Sequence, residues 1–348
     1  MTRLICLDTN VWYAECLLRS AAGAALIYAV QTNQFKLLLP EIVERELVEL
    51  VARKCQELLD GIGESKRRLK NLTGKRVGTD LPVSERAISQ SVLDRIAQLN
   101  SVVVKEPTPE SAYRLAFDRV VECRVPNSEK NQQAKDSLLW ESLVALEAGT
   151  ELILVTSDVA FYEERSVKAG LSKALSSEAK ARDLTVTLVE DCLKALSALT
   201  PQAPNVDCDA VRALLEVRTE EIARMAWKKV AHRDFEISGL IDTDLKLAFY
   251  LTSDTNEIAV VFTLRTKLAI GNDGETEELV ASGTCKYLVA SSELSELQIS
   301  TASGTRSGIQ MMTIGGGDEI LGVEFGATKA IPALRIPLEL VEAALARR

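Results

Sequence analysis

Residues 3–10 of the chain read Arg-Leu-Ile-Cys-Leu-Asp-Thr-Asn (RLICLDTN). The run Leu4–Leu7 is wholly apolar and ends abruptly at Asp8. A short, continuous apolar run is typical of a strand that is buried in a parallel sheet. Since ligands of open parallel sheets bind beyond the carboxyl ends of the strands, Asp8 stands where chemistry is expected.

The segments after this strand alternate between strand and helix patterns as far as about residue 200. Further strands are predicted at 35–39, 101–104, 152–156 and 184–189. Helices are predicted at 11–32, 41–69, 84–99 (with Ser84 as its cap), 109–123, 129–147 and 162–181, and a last helix ends near residue 200. Such alternation predicts a parallel sheet with helices on both faces. We therefore predict an α/β domain over residues 1–203.

The pattern changes after Pro201-Gln-Ala-Pro204, which is typical of a linker. A long amphipathic helix is predicted at 206–230. Alternating strand patterns follow at 245–251, 258–270 and 279–290, with weaker ones at 297–301 and 320–325. Gly271-Asn-Asp-Gly274 is a strong turn signal between two of these strands. Residues 204–348 are therefore predicted to form a separate α+β domain with a mostly antiparallel sheet.

The composition argues against several other classes of protein. The chain has 348 residues, of which 47% are hydrophobic, so it is long enough for two domains and is not disordered as a whole. Its single histidine, His232, lies near the end of a predicted helix, where a cation is favourable. One histidine in that setting argues against a Ser-His-Asp triad and against a histidine-ligated zinc site.

The seven cysteines contain no Cys-x-x-Cys pair, and no apolar stretch is long enough to cross a membrane, so we expect a reduced, cytoplasmic protein.

Four acidic residues in the first half stand where a functional site is expected. Asp8 and Asp158 each follow a predicted strand. Glu46 lies in the helix start Pro-Glu-Ile-Val-Glu-Arg-Glu-Leu (residues 40–47), and Asp136 precedes a very apolar helical run. Taken singly, each acid also fits a structural role, as a helix cap, a solvated helix residue or half of a surface ion pair with lysine. Their joint order is the stronger signal.

The order and spacing of these acids resemble the PIN-domain family over about residues 1–200. The matching residues, in chain order, are Asp8 with Thr9 and Asn10; Pro40, Val43, Glu46 and Leu47; Asp136; and Thr156, Asp158 and Phe161. The chain looks closest to the larger PIN-like variants, which carry a long insertion between the second and third acids. Residues 205–348 resemble no family that we recognise.

The resemblance implies a nuclease that hydrolyses phosphodiester bonds, usually in RNA, with Mg²⁺ or Mn²⁺ bound by the acids. It implies Asp8, Asp136 and Asp158 as metal ligands, and Glu46 as a residue that holds the ion or orients water. Hard divalent cations prefer such oxygen ligands. Thr156 and Asn10 would support the ligands by hydrogen bonds. One departure is that Val159-Ala160 stands where family members often carry a further acid, which puts a second metal ion in doubt.

A basic run follows Glu46 in the chain. Residues 51–76 contain eight Lys/Arg and three Asp/Glu, although the whole chain has a net charge of −9. We predict that the run contacts nucleic acid through Lys66, Arg67, Arg68, Lys70, Lys75 and Arg76. The alternative is a solvated helix end, where cations suit the helix dipole.

Other functions stay open at this point. An aspartate-nucleophile phosphatase is disfavoured, because it needs a second Asp where this chain has Asn10 and an acid pair where it has only Asp158. A PIN-like RNA-binding or scaffold module without catalysis is the main alternative to a nuclease. A homodimer and an inhibitory partner protein also stay open. The second domain could sense a ligand, dimerise or neutralise the nuclease.

Overall fold

The computed structural model describes residues 2–73, 84–128, 131–200, 203, 206–231, 237–270, 275–306 and 309–314. Within these ranges the chain forms two five-stranded sheets, one in each half. The predicted turn Gly271–Gly274, the predicted strand 320–325, His232 and most of the predicted linker lie outside the described residues.

The first sheet is parallel throughout, as predicted. Its strands are β1 (Arg3–Leu7), β2 (Lys36–Pro40), β3 (Val103–Glu106), β4 (Glu151–Val155) and β5 (Thr185–Val189), in the spatial order β3-β2-β1-β4-β5. Strands β1 and β4 lie side by side, with Leu7 paired to Val155. The chain continues from these two ends into Asp8 and Thr156, so both segments leave the sheet at the same edge. This is also the point where the chain order along the sheet reverses, where α/β proteins commonly bind ligands.

Eight helices of the first half are described. They are α1 (Thr9–Ala14), α2 (Ala21–Thr32), α3 (Glu41–Thr73), α4 (Glu85–Gln98), α5 (Glu110–Val121), α6 (Ala134–Val144), α7 (Lys173–Ala181) and α8 (Cys192–Leu199). They flank the sheet, and Trp12, Trp140 and Phe161 are fully buried in the core between the layers. The predicted cap of α4 is confirmed, since the Ala87 N–H donates to Ser84 Oγ (3.3 Å).

The prediction of one helix over residues 11–32 is wrong. The chain turns between α1 and α2, and Cys16, Leu17 and Leu18 all have positive φ. Leu18 packs onto the backbone of Gly23, where an added Cβ would lie 2.5 Å from the Leu18 Cα. The Arg95 guanidinium also donates to the carbonyl oxygens of Leu17 and Leu18 (3.1 Å each). These contacts hold the turn, and helical periodicity alone does not show them.

Two further predicted helices also differ. Residues 162–181 contain short 3₁₀ turns before α7 begins at Lys173, and Gly170 there has a φ of +73°. The predicted helix 206–230 is two helices, α9 (Cys208–Glu216) and α10 (Thr219–Ala231), because Val217 and Arg218 form a turn between them. A two-residue turn that interrupts an amphipathic segment leaves little trace in the sequence pattern.

The second sheet is antiparallel, and the predicted separate α+β fold is confirmed. Its strands are β6 (Ile237–Leu251), β7 (Glu257–Ile270), β8 (Glu275–Leu288), β9 (Glu293–Arg306) and β10 (Ile309–Ile314), each paired with the next along the chain. Helices α9 and α10 pack on this sheet through a core that includes Trp227 and Phe262. The Trp227 ring comes so close to Gly304 that an added Cβ would lie 2.6 Å from it.

Helix α2 joins the two halves. Its small residues Ala21, Ala25 and Ala29 are buried in one cluster with Tyr250 and Ala259 of the second sheet. Small side chains allow a helix to approach a sheet closely, so the halves share an apolar junction. None of the helices in the described ranges is long and apolar enough to span a membrane.

Candidate active site

Asp8 lies between β1 and α1, with only 7% of its surface exposed. It caps α1, because the Thr9 N–H donates to Asp8 Oδ1 (2.7 Å). The Thr156 hydroxyl, which is completely buried, donates to Asp8 Oδ2 (2.7 Å). Both carboxylate oxygens are therefore fixed by hydrogen bonds, one of which joins residues 148 apart in the chain.

Asp158 follows the neighbouring strand β4 and shares Thr156 with Asp8. The Asp158 N–H donates to Thr156 Oγ1 (3.0 Å), so this hydroxyl accepts from one acid's backbone and donates to the other's carboxylate. Asp158 Oδ1 accepts from the Ala160 N–H (2.8 Å) and Oδ2 accepts from Gln133 Nε2 (3.1 Å). Both carboxylate oxygens of Asp158 therefore also accept hydrogen bonds, one within the turn after β4 and one from the residue before α6.

Glu46 and Asp136 reach the same place from helices α3 and α6. Glu46 Oε2 accepts from the Thr9 hydroxyl (2.9 Å), and Glu46 Oε1 accepts from Lys135 Nζ (2.8 Å). Asp136 lies in the first turn of α6, close enough to Asp158 for the Asp158 carboxyl group to affect the protonation of Asp136. The four acids chosen from the sequence therefore meet at one edge of the parallel sheet.

The charges of these acids act on one another. Burial, and then the negative charges of Asp158, Asp8 and Glu46, raise the pKa of Asp136 to about 8. Burial also raises the pKa of Asp8 to about 6, although its hydrogen bonds from Thr156 and Thr9 act in the opposite direction. The cluster therefore holds more negative charge than its buried setting favours, and a bound cation would relieve that repulsion.

Residues 5–161 match the sequence model of the PIN domain family. This segment is a PIN domain. PIN domains are typically nucleases and generally use a divalent metal ion. The matched residues include the end of β1, all of β2–β4 and all four acids. Comparisons of the chain with curated proteins and with solved structures gave no match.

The side chains of the PIN-domain cluster fit a hard divalent cation in their chemistry. Its four acids offer carboxylate oxygens, which such cations prefer as ligands, and a cation near Asp136 and Asp158 would offset the repulsion that raises the pKa of Asp136. Lys135 and Gln133 now contact two of the acids. Among the described residues, no three acidic, histidine or cysteine side chains already surround one point as metal ligands. Binding of one cation by three of the acids would therefore require their side chains to move closer together.

Three contacts of the PIN-domain cluster were not predicted from the sequence: those of Thr9 and Lys135 with Glu46, and that of Gln133 with Asp158. Thr9 supports both Asp8 and Glu46, whereas the Asn10 side chain is exposed. Lys135 pairs with Glu46 and not with its neighbour in the chain. Gln133 contacts Asp158, and its Oε1 is buried with no hydrogen-bond partner in the part of the chain described. The Asp-Thr-Asn motif at residues 8–10 indicated that Thr9 lies in the site, but nothing in the sequence indicated that Gln133 does.

Four of the predicted nucleic-acid contacts of the PIN domain, those at Lys66, Arg67, Arg68 and Lys70, fall in the second half of α3. The backbone of this helix continues to Thr73, so Lys66 lies twenty residues beyond Glu46 on one helix. At 1.5 Å per residue, that is about 30 Å along the helix axis. The side chains of Lys66, Arg67, Arg68 and Lys70 lie outside the described part of the structure, as do Lys75 and Arg76 entirely. Contact of these six residues with nucleic acid stays a prediction, and contact at Lys66 would lie well away from the acids.

The raised pKa values predict how pH affects the metal-free protein. In the folded protein the pKa values of Asp8 and Asp136 lie above the ordinary aspartate value of 3.8, so both carboxyl groups bind protons more tightly than they would in the unfolded chain. Their contribution to stability is therefore fully present below about pH 4, and it is lost as pH rises through about 6 for Asp8 and about 8 for Asp136. We expect Asp136→Asn to raise the Tm of the metal-free protein at about pH 8.5 by several degrees.

Thermal unfolding in EDTA between about pH 5 and 8.5 measures this effect. The wild-type Tm should fall across the range more steeply than that of Asp136→Asn. Glu49→Gln, which changes an exposed acid on α3, should follow the wild-type curve. If Asp136→Asn also has the wild-type slope, the repulsion inferred for the cluster is wrong.

Thr156→Val should test whether the shared hydroxyl positions the acids. Valine keeps the shape of threonine, but it removes the donor to Asp8 and the acceptor for the Asp158 N–H. Loss of such a supporting group typically costs about 10- to 100-fold in metal affinity or activity. We expect a loss of that size in Mn²⁺ affinity measured by titration calorimetry. Thr185→Val, at an exposed position on β5, is the matched control and should bind Mn²⁺ as the wild type does.

Proposed function

We propose that this protein is a metal-dependent endoribonuclease whose PIN domain hydrolyses phosphodiester bonds with Mg²⁺ or Mn²⁺. One observation carries the proposal, namely the meeting of Asp8, Glu46, Asp136 and Asp158 at the carboxyl edge of the parallel sheet. Proteins seldom bury mutually repelling carboxylates unless something compensates their charge. Hydrolysis of a phosphodiester is the chemistry that such a cluster supports best, since the family is typically nucleolytic.

The residues have separate roles in this proposal. Asp8, Asp136 and Asp158 hold the ion, and Glu46 completes its binding or orients water. A divalent ion in such a site activates water and neutralises charge on the attacked phosphate. Thr9 and Thr156 keep Asp8 in one orientation, as their hydrogen bonds already do.

Lys135 contacts the substrate in this proposal. Its side chain is more than half exposed, although Nζ lies 2.8 Å from Glu46 Oε1. A cation on the rim of an acidic cluster can contact a phosphate that approaches the acids. In this proposal Lys135 exchanges Glu46 for a phosphate oxygen of the RNA, which offsets part of the repulsion between substrate and cluster.

Cleavage of a labelled single-stranded RNA by the full-length protein tests the proposal. We expect internal cleavage with Mn²⁺ or Mg²⁺ and none in EDTA. A DNA of the same sequence, assayed in parallel, should be cleaved more slowly. Cleavage that persists in EDTA would contradict the metal requirement. Binding of RNA without cleavage in any divalent metal would instead favour the non-catalytic RNA-binding module.

The proposal also includes a domain boundary and a cellular compartment. We place the boundary between the nuclease domain and the second domain at residues 203 and 204, although Ala203 already donates from its N–H to Phe249 of the second sheet (2.6 Å). All seven cysteines are free, which suits a reducing compartment, and we propose the cytoplasm.

A further inference from the structure

A cleft of about 570 Å³ lies where the two halves of the chain meet. One side is formed by α1, α3 and α4 of the PIN domain, and the other by Lys229 of α10 and Gln298 of β9. We refer to it as the junction cleft. Its volume falls within the range of about 300–1,000 Å³ that is usual for small-molecule sites. Sites between domains are also common places for ligands.

The walls of the junction cleft are mostly apolar. Leu17, Val51 and Ile88 contribute aliphatic surface, and the half-exposed ring of Tyr13 stands among them. Ala87 lies at the rim, on the first turn of α4. An aromatic or aliphatic group would bury apolar surface against these side chains, and the hydrophobic effect would favour that burial.

The charge at the junction cleft is positive. Arg19 lines it, is exposed and forms no ion pair with any residue that the structure describes. Burial lowers the pKa of Arg95, and the positive charge of the nearby Arg19 lowers it further. No acid lines the cleft in the described ranges. Of the acids nearby, Glu57 pairs with Lys54 (3.0 Å) and Glu296 with Lys286 (2.9 Å), whereas the buried Glu15 accepts from the Ser20 hydroxyl and forms no ion pair with a described residue.

From these features we propose that the junction cleft binds a small aromatic anion of about nucleotide size. The ring system packs against Leu17, Val51 and Ile88, and the anionic group pairs with Arg19. Both halves of the chain contribute to the site, so its occupant bridges them. The inference does not depend on nuclease activity.

The position of the junction cleft connects it with the acidic cluster. Helix α1 has only six residues, with Asp8 as its cap. At its other end, Gln298 of the second domain donates from Nε2 to the Ala14 carbonyl oxygen (2.7 Å). An occupant of the cleft would contact Tyr13 and Ala14 of this same helix. The second domain would then bind the ligand jointly with the element that positions Asp8.

Two fluorescent probes that differ in charge test the proposal on the full-length protein. They are 8-anilinonaphthalene-1-sulfonate, an aromatic anion, and N-phenyl-1-naphthylamine, which lacks the sulfonate. We expect Arg19→Glu to weaken binding of the sulfonate about tenfold, since charge reversal turns attraction into repulsion, with little change for the neutral amine. Ala87→Trp, which fills the cleft, should weaken binding of both probes.

The exposed apolar stripe of α5 offers the alternative site for such probes. It consists of Tyr113, Phe117 and Val121, and Phe117 is 67% exposed. Phe117→Ser and Arg114→Glu on this helix are therefore the controls, and neither should change the binding of either probe. If Phe117→Ser abolishes sulfonate binding, or if Arg19→Glu and Ala87→Trp both leave it unchanged, the junction cleft is not the site and the proposal is wrong. Unfolding curves of all four variants show whether each is folded.

Discussion

Replacing Asp8 by asparagine is expected to reduce RNA cleavage at least about a thousandfold, because a bound metal supplies several kcal/mol to such reactions and each ~1.4 kcal/mol is tenfold in rate. Asparagine has nearly the shape of aspartate, but it cannot supply the negative oxygen that a divalent cation requires. It can still accept the hydrogen bond that the Thr9 N–H makes to Asp8 at the start of α1. The fold should therefore survive while the activity is lost.

Initial rates in Mn²⁺ measure the effect, with the Tm of each variant as the check on folding. Asp136→Asn should cause a loss of similar size, because its carboxyl group belongs to the same cluster. Glu49→Gln should keep full activity, since Glu49 is an exposed acid on α3. Activity that survives both aspartate substitutions would remove the hydrolytic role of the cluster, and with it the proposed function.

Replacing Arg119 by leucine is expected to destabilise the folded protein by about 3–5 kcal/mol, since it leaves buried charge without a partner. Arg119 is only 2% exposed, and its guanidinium donates to Glu141 (2.8 and 2.6 Å), to Glu178 (2.6 Å) and to the Val125 carbonyl oxygen (2.6 Å). Glu141 is itself buried, so it would keep its charge at a cost in free energy or would bind a proton.

This ion cluster also connects elements that carry the site. Arg119 belongs to α5, and its partners Glu141 and Glu178 belong to α6 and α7. Trp140 of α6 donates from its indole N–H to the same Glu178 (2.9 Å). Because α6 also carries Asp136, loosening these contacts should weaken Mn²⁺ binding in addition to lowering stability.

Urea denaturation measures the predicted change in the free energy of unfolding. The matched control is Arg124→Leu, which breaks the exposed ion pair with Glu122 (2.7 Å) and should cost about 0–1 kcal/mol. The double variant Arg119→Leu with Glu141→Leu should recover part of the loss, because it removes the unpaired charge along with the arginine. Equal losses for Arg119→Leu and Arg124→Leu would show that burial of this cluster does not matter for stability.

The sequence predicted the first sheet mainly because its three central strands, β2, β1 and β4, are buried. A strand inside a parallel sheet must be apolar along its length, so runs such as Leu4–Leu7 stand out from the helices around them. Because these runs are apolar, the sequence also showed where each one ends, and two of those ends predicted Asp8 and Asp158 as site residues. Glu46 and Asp136 lie on helices, where a single acid has many structural uses, and they were found only through the spacing of the PIN family.

Contacts between distant residues could not be predicted in this way. Thr156 bonds to Asp8 across 148 residues, and Lys135 bonds to Glu46 across 89. The turn at residues 16–18 depends on Arg95, which is 77 and 78 residues away from the carbonyl groups that it contacts. Periodicity reports which face of an element is buried, but it does not report which atom of another element lies opposite.

The site of the four acids was predicted in part from the sequence and was decided in part by the tertiary structure. The sequence by itself determined that strands end in Asp8 and near Asp158, since an apolar strand fixes where the polar residue after it must emerge. Only the tertiary structure decided that Thr9, Thr156, Gln133 and Lys135 hold these acids, and that the second domain contacts α1 through Gln298. Those contacts depend on how helices and sheets pack, and packing is set by many side chains together rather than by any local pattern.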